Sequence, residues 1–284
     1  ALERGYTPDS IVNDEKTEGG PSNANKSYAG KITLRQAVES SKNTVAWSLF
    51  EELTPKVGIS YLRNMNFSHL ENQDEQMAAS LGGFTRGVSA LEMASGYAAI
   101  ENDGNYRAPT CIVKILDADG NEIYASAQTE EAVYKQNAAR MMTDVLKGVI
   151  TSGTAHGLGL GSMPAAGKTG TSNDQKDGWF VGYTRYYTTS VWVGYDMPKK
   201  MDKLMGSTYP GTIWQKFMLK AHEGRSPMEF LPYAQVSDEV HTFHQEDTEE
   251  NPDQNADENA GQQDQNQQQQ DQQQPQNQQQ QDQQ

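Results

Sequence analysis

The sequence predicts an α/β (α+β) domain in which helices flank an antiparallel sheet. Strand-like runs at 178–184 and 188–195 are joined by a short turn near Arg185. Short links of this kind favour antiparallel pairing. Apolar residues at helical spacing over 137–150 and 212–222 predict helices on either side of these strands. Because such helices and sheets each carry one apolar face, we expect them to form layers around a common core.

The N-terminal part is expected to begin with a loop and continue with two helices. Residues 5–30 are rich in Gly, Ser, Asn, Asp and Pro without any period, which predicts a long surface loop. Thr33 is a plausible N-cap for a helix over 34–38. A second helix is expected to start near Thr44 and to end before Pro55.

The middle of the chain is expected to contain a capped helix and a hairpin. Ser89 precedes Glu92 by three residues, which is the spacing of a capping box. Runs at 111–116 and 122–124 predict two strands around a turn. Because Cys111 precedes an apolar run, we expect it to be a buried structural thiol.

Charge and composition divide the chain into a body, 1–233, and a tail, 234–284. The formal charge is −15, but the tail holds twelve acidic and no basic residues, leaving 26 acids and 23 bases in the body. From position 262 onward, 17 of 23 residues are Gln. A segment of this composition cannot bury enough apolar area to offset its ordering entropy, so the tail is predicted to be disordered.

Composition also argues against several classes of function. The nearly neutral body offers no electrostatic footprint for nucleic acid. A single cysteine excludes an intramolecular disulfide. His241 and His244 have the spacing of a metal pair but lack further ligands, so we expect solvated histidines, no metal and no cofactor.

No run approaches the roughly 20 apolar residues of a membrane helix. Because the chain begins at Ala1 with what reads as mid-domain sequence, it is expected to be a fragment whose membrane anchor lies upstream.

Two short motifs contain the residues best suited to chemistry. Lys168-Thr169-Gly170 combines a cation, a hydroxyl and a glycine at the start of a strand-like region. Such an edge can receive an anionic, peptide-like ligand, with the peptide added as a strand. Ser41-Lys42-Asn43 precedes a helix and supplies a hydroxyl and an amide. A phosphate-binding loop is an alternative for the first motif, but it requires Gly at position 162, which is Ser162, and a helix directly after Lys168.

Together these residues resemble the penicillin-binding proteins, whose motifs are Ser-x-x-Lys, Ser-x-Asn and Lys-Thr-Gly. Ser41-Lys42-Asn43 matches the second motif and Lys168-Thr169-Gly170 the third, and the resemblance covers about residues 1–225. The class A, bifunctional members are the most similar. Further stretches that resemble the family are 32–37, 87–94, 151–155, 167–171 and 178–184. The resemblance implies the serine β-lactamase/transpeptidase-like fold.

The chain departs from the family in one respect. No serine is followed by lysine three residues later, so Ser-x-x-Lys, which supplies the acylated serine in the family, is absent. The resemblance implies a parent protein that cross-links peptidoglycan stem peptides and is acylated by β-lactams on the outer face of the bacterial cytoplasmic membrane. A glycosyltransferase domain would precede it in a class A protein. Without the nucleophile, the 284 residues alone are expected to be inactive.

The resemblance also assigns a role to each matching residue. Ser41 would relay protons to the leaving group, and Asn43 would hold the substrate amide. Lys168 and Thr169 would face the substrate carboxylate, and Gly170 would leave room for the substrate backbone. The Thr171 backbone N–H would form half of an oxyanion hole. Two other functions stay open: a non-catalytic binding module associated with the cell wall, and a hydrolase of the D,D-carboxypeptidase or β-lactamase type that uses water as acceptor.

Overall fold

A computed structural model of the chain describes residues 1–236. The tail beyond, including His241 and His244, lies outside the described residues, so the predictions for it stay predictions. The helices are α1 (Leu34–Glu39), α2 (Asn43–Leu53), α3 (Pro55–Asn64), α4 (Ala90–Glu101), α5 (Gln136–Thr151) and α6 (Tyr209–Ala221).

The described strands pair only in the antiparallel sense, as predicted. They are β1 (Ile11–Asp14), β2 (Gly30–Thr33), β3 (Asn105–Arg107), β4 (Lys114–Leu116), β5 (Glu122–Ala125), β6 (Glu130–Ala132), β7 (Ala166–Thr171), β8 (Asp177–Tyr183) and β9 (Thr188–Gly194). Three two-stranded sheets pair β1 with β2, β3 with β6, and β4 with β5. The fourth sheet has the order β7-β8-β9, which leaves β7 at its edge among the described residues.

Helices cover both faces of the three-stranded sheet because successive side chains of a strand point to opposite faces. Phe180 packs against Trp214 of α6, with ring centroids 4.8 Å apart. Tyr183, on the opposite face, lies with its hydroxyl 3.0 Å from that of Thr143 in α5. All four side chains are buried, so this sheet forms the centre of the core.

The two predicted helix starts are confirmed. Thr33 and Gln36 form a capping box at α1, and Ser89 and Glu92 form another at α4. In each, a side-chain oxygen satisfies a backbone N–H that the first helical turn leaves without a partner. Because Thr33 is also the last residue of β2, this cap fixes the direction in which α1 leaves the first hairpin.

The structure corrects three expectations. Residues 5–30 are not a loop throughout, because β1 lies within them and buries Val12 and Asp14. Cys111 is exposed rather than buried, since the hairpin of β4 and β5 stands away from the core and leaves even Val113 at 72% exposure. The closing helix begins at Tyr209, earlier than predicted, because Pro210 fits the first helical turn.

Within residues 1–236, no helix is both long and apolar enough to cross a membrane.

Candidate active site

The structure brings the two motifs together. Lys168 Nζ lies 2.8 Å from Ser41 Oγ, although the two residues are 127 positions apart in the chain. The same ammonium group donates to the Thr169 carbonyl at 3.1 Å. An ammonium has three N–H donors, so the hydroxyl and the carbonyl leave one donor for a ligand.

Ser41 occupies the sharp connection between α1 and α2. Its φ is 53°, in the left-handed region that costs a residue other than glycine about 1–2 kcal/mol. Its N–H donates to the Val38 carbonyl at the end of α1, while Lys42 N–H donates to the carbonyl of Ala37. The neighbouring helices therefore hold Ser41 in a conformation that an unconstrained serine would seldom adopt, with its hydroxyl directed at Lys168.

Lys42, the middle residue of Ser41-Lys42-Asn43, contacts a buried carboxylate rather than Lys168. Lys42 Nζ forms an ion pair of 2.7 Å with Asp14, a carboxylate with no exposed surface. Asp14 also accepts hydrogen bonds from Asn23 Nδ2 at 2.6 Å, Thr44 Oγ1 at 2.7 Å and the Ala29 N–H at 2.8 Å. Burial by itself would raise the pKa of Asp14, but these donors outweigh it and hold the pKa well below its ordinary value. This network ties the loop between β1 and β2 to the start of α2.

Asn43 is the first residue of α2 and is oriented by that same loop. Its Nδ2 donates to the Ser22 carbonyl at 2.9 Å. One N–H of the amide is therefore used, which leaves its carbonyl oxygen and second N–H for a ligand. Asn43 follows Ser41 by two residues, so it starts α2 directly beside the residue that contacts Lys168.

Burial perturbs the cation of this site. The Lys168 side chain is half-buried on β7, and desolvation lowers the pKa of its ammonium group from 10.5 to about 8. At such a pKa the group exchanges protons near neutral pH. It remains charged enough below pH 8 to attract an anion.

The threonine side chains of β7 contact two loops. Thr169 Oγ1 lies 2.7 Å from Thr154 Oγ1, in the connection between α5 and β7. Thr171 Oγ1 accepts a hydrogen bond of 3.0 Å from the Gly206 N–H. A Cβ on Gly206 would come within 2.8 Å of both the nitrogen and the oxygen of Gly170, so this close approach requires glycine.

Trp179 lies beside Gly170 in the register of β7 and β8 and is half-buried rather than part of the core. Its ring centroid is 6.4 Å from that of Trp192 on β9.

The arrangement argues against the phosphate-binding loop considered from the sequence. Lys168 lies within a strand rather than directly before a helix, so no helix N-terminus directs its amides at a phosphate beside it. Within the described part of the chain, no cluster of three or more His, Cys, Asp or Glu residues could hold a metal ion.

The sequence predicted Ser41, Asn43 and Lys168 as site residues but did not indicate which residues contact the two motifs from elsewhere in the chain. Asp14 was assigned to a loop, and neither Thr154 nor Gly206 received a role. A signal for Asp14 was present, because an apolar pair, Ile11-Val12, begins the strand in which Asp14 is the last residue. Thr154 lies in the stretch 151–155 that resembles the family, but its partner Thr169 is 15 positions away, so the local sequence did not predict their contact.

Comparison with known proteins places the chain in a family. Residues 1–219 match the model of the penicillin binding protein transpeptidase domain. Penicillin-binding protein 1F of Bacillus subtilis is 34% identical over 230 residues, which cover 78% of this chain and 32% of that protein. Penicillin-binding protein 1A of Clostridium acetobutylicum is 33% identical over 231 residues, with 76% and 28% covered. The chain thus spans about a third of the length of the curated relatives it matches.

Solved structures show the same fold. The PonA1 protein from Mycobacterium tuberculosis in complex with penicillin V superposes with a TM-score of 0.73 at 25% identity, over 83% of this chain and 69% of that one. Penicillin-Binding Protein 1A from Haemophilus influenzae gives a TM-score of 0.70 at 22% identity, over 81% and 42%.

The fold and the family match define a penicillin-binding transpeptidase domain. This chain belongs to the penicillin-binding protein transpeptidase family, class A, and its relatives include penicillin-binding proteins 1A, 1F and 4.

Proposed function

We propose that this chain is the C-terminal part of a peptidoglycan D,D-transpeptidase domain that works through a serine acyl-enzyme and is acylated by β-lactams. The observation that carries the proposal is the contact of 2.8 Å between Lys168 and Ser41 beside the edge strand β7. The nucleophilic serine would belong to a part of the protein outside these 284 residues, since no Ser-x-x-Lys occurs in them. The chain alone is therefore proposed to be inactive.

Each residue of the site has its own role in the proposed reaction. The substrate is a stem peptide ending in D-alanyl-D-alanine, which adds along β7 as an extra strand. Its terminal carboxylate binds Lys168 and Thr169, while Asn43 holds its amide group. The serine oxygen attacks the carbonyl carbon between the two alanines, and the developing oxyanion accepts from the Thr171 N–H.

Proton transfer completes the acylation. The C–N bond breaks, and the proton lost by the attacking serine passes through Ser41, which Lys168 supports, to the leaving D-alanine nitrogen. An amine of a neighbouring stem peptide then attacks the acyl-enzyme, the ester bond breaks, and the proton lost by the amine returns to the serine oxygen. A D,D-carboxypeptidase or β-lactamase would use water in this second step. The acceptor is therefore identified by the product, which is a cross-linked peptide with an amine and a free carboxylic acid with water.

The proposed partners follow from this chemistry. They are peptidoglycan stem peptides and β-lactam antibiotics, and the bound penicillin V in a solved relative supports the second class. The proposed location is the outer face of the cytoplasmic membrane, with the anchor and a glycosyltransferase domain upstream.

Labelling with a fluorescent penicillin tests the proposal. We expect the full-length protein to be labelled covalently, with the adduct on the serine of an upstream Ser-x-x-Lys, and the 284-residue chain to stay unlabelled. Peptide mapping by mass spectrometry locates the adduct. An adduct on a residue of the 284-residue chain, or none on the full-length protein, would contradict the proposal.

Replacing Asn43 by alanine is expected to slow penicillin acylation of the full-length protein about tenfold to a hundredfold. The substitution removes the amide that holds the substrate and leaves a polar partner unpaired in the site. The unfolding temperature should change little, because Asn43 is half-buried and makes one hydrogen bond, to the Ser22 carbonyl. Stopped-flow measurement of acylation checks the rate.

Asn25→Ala is the matched control. Asn25 lies in the same loop, where its side chain accepts a hydrogen bond from the Ser27 N–H outside the site. The two variants should unfold at similar temperatures but differ in acylation. An Asn43→Ala protein that unfolds readily, or acylates like the control, would show that Asn43 is structural.

A further inference from the structure

Thr154 lies at the site without any role assigned by the motifs. It follows the turn that ends α5, and its side chain is exposed while the next residue, Ala155, is completely buried. The Thr154 N–H donates to the Glu39 carbonyl at 3.1 Å, and the Ala155 N–H donates to the Val149 carbonyl at 3.0 Å. The backbone of Thr154 is therefore fixed on both sides.

The turn is also fitted closely against the end of α1. A Cβ on Gly153 would approach the Glu39 carbonyl oxygen to 2.5 Å and Val149 Cα to 2.8 Å. Glu39 is the last residue of α1 and precedes Ser41 by two positions. Thr154 is consequently held in a constant position relative to both Ser41 and β7.

The side chain of Thr154 has a specific partner. Its Oγ1 lies 2.7 Å from Thr169 Oγ1, and the pair is exposed to solvent. Two hydroxyls share one proton between their oxygens, so one further proton of the pair stays available to a ligand. Among the described residues, neither hydroxyl makes another hydrogen bond. The position of a bound ligand therefore determines which oxygen donates this second proton.

We propose that Thr154 is a positioning residue for the carboxylate of the substrate, an inference that rests on the proposed function. An anion beside Thr169 attracts the Thr169 proton, and Thr154 then donates its own proton to Thr169 Oγ1. A hydroxyl that accepts a hydrogen bond is a stronger donor. Thr154 thus strengthens and orients a neutral donor that works beside the Lys168 ammonium, and it favours ligands that end in a carboxylate.

Binding to the 284-residue chain tests this role without any acylation. The probes are N,N-diacetyl-L-lysyl-D-alanyl-D-alanine and its C-terminal amide, titrated while the backbone amide NMR signals of Gly170 and Thr171 are followed. We expect the wild-type chain to prefer the carboxylate probe. Thr154→Val should weaken binding of that probe about threefold to tenfold, the worth of one hydrogen bond. Binding of the amide probe should not change.

Two variants separate the hydroxyl from the shape of the residue. Thr154→Ser keeps the hydroxyl and should restore wild-type binding. Thr151→Val is the matched control, because Thr151 is exposed at the end of the same helix and its hydroxyl is directed at the Gly148 carbonyl. It should bind both probes as the wild type does.

The outcomes distinguish this inference from the proposed function. A wild-type chain without preference for the carboxylate probe would contradict the proposed function and, with it, this role. A wild-type preference that persists in Thr154→Val would overturn the role of Thr154 alone. Equal weakening of both probes, or failure of Thr154→Ser to restore binding, would likewise overturn it, since packing would then be responsible.

Discussion

Replacing Lys168 by methionine in the full-length protein is expected to slow acylation by penicillin V about a hundredfold to a thousandfold. This is the usual cost of removing one charged or hydrogen-bonding group that stabilises a transition state. Methionine keeps the length and the apolar stem but removes the ammonium that contacts Ser41 and faces the ligand. The second-order rate constant, from mass spectrometry of the adduct over time, measures the effect.

A second variant separates the two roles of Lys168. Lys168→Arg keeps the positive charge but cannot release its proton at any pH used. It should retain binding of a carboxylate ligand while losing acylation. Lys220→Met is the control, because Lys220 is exposed on α6 and pairs only with Glu223. Wild-type acylation of Lys168→Met would contradict the role of the cation.

Replacing Asp14 by alanine is expected to lower the free energy of unfolding of the 284-residue chain by about 3–5 kcal/mol. This is the usual cost of removing one partner from a buried ion pair. The change leaves the Lys42 ammonium, whose side chain is 11% exposed, without its counter-ion, and three further donors lose their acceptor. Urea denaturation followed by tryptophan fluorescence measures the change.

An exposed ion pair provides the control for Asp14. Asp144 pairs with Arg35 at a similar distance of 2.8 Å, but its side chain is 35% exposed. Asp144→Ala should therefore cost less than about 1 kcal/mol. The double variant Asp14→Ala/Lys42→Met should regain part of the stability, because no charge remains unpaired. If Asp14→Ala and Asp144→Ala cost the same, the buried network contributes little.

The contribution of Asp14 to the free energy of unfolding should decrease as the pH falls. Because the folded-state pKa of Asp14 lies below its ordinary value of 3.8, the folded protein binds the proton less readily than the unfolded chain. The contribution is complete above pH 3.8 and is lost as the pH falls below that value. Asp14→Ala should accordingly reduce the loss of stability that the chain suffers as the pH falls below about 4.

The local rules of sequence predicted much of the fold. The antiparallel sheet followed from the short link near Arg185, the N-cap from the residue type of Thr33, and the capping box at Ser89 from its spacing to Glu92. These features depend on residues close together in the chain. The first hairpin was missed because β1 and β2 are separated by a polar segment whose order depends on Asp14, a buried acid that composition cannot distinguish from a solvated one.

In the site, too, local features were predictable and long-range contacts were not. Motif order predicted that Ser41 and Lys168 work together, but the residues that orient them act through long-range contacts. Gly206 is needed where another loop approaches the backbone of Gly170, and nothing in its local sequence shows this approach. The prediction that Cys111 is buried was wrong because it relied on local sequence alone. Its apolar neighbours indicated burial, but they lie on an exposed hairpin.

The pKa of the Lys168 ammonium group tests most directly whether two distant segments form one partly desolvated groove. It can be measured on the 284-residue chain by NMR of the lysine Cε and Nζ groups between pH 6 and pH 11, about the range in which lysines titrate. The signal that disappears in Lys168→Arg identifies the residue. Titration near pH 8, with carboxylate binding that weakens as the pH rises through that value, is the predicted result. Titration at the ordinary value of 10.5 would place the ammonium in open water and contradict the account.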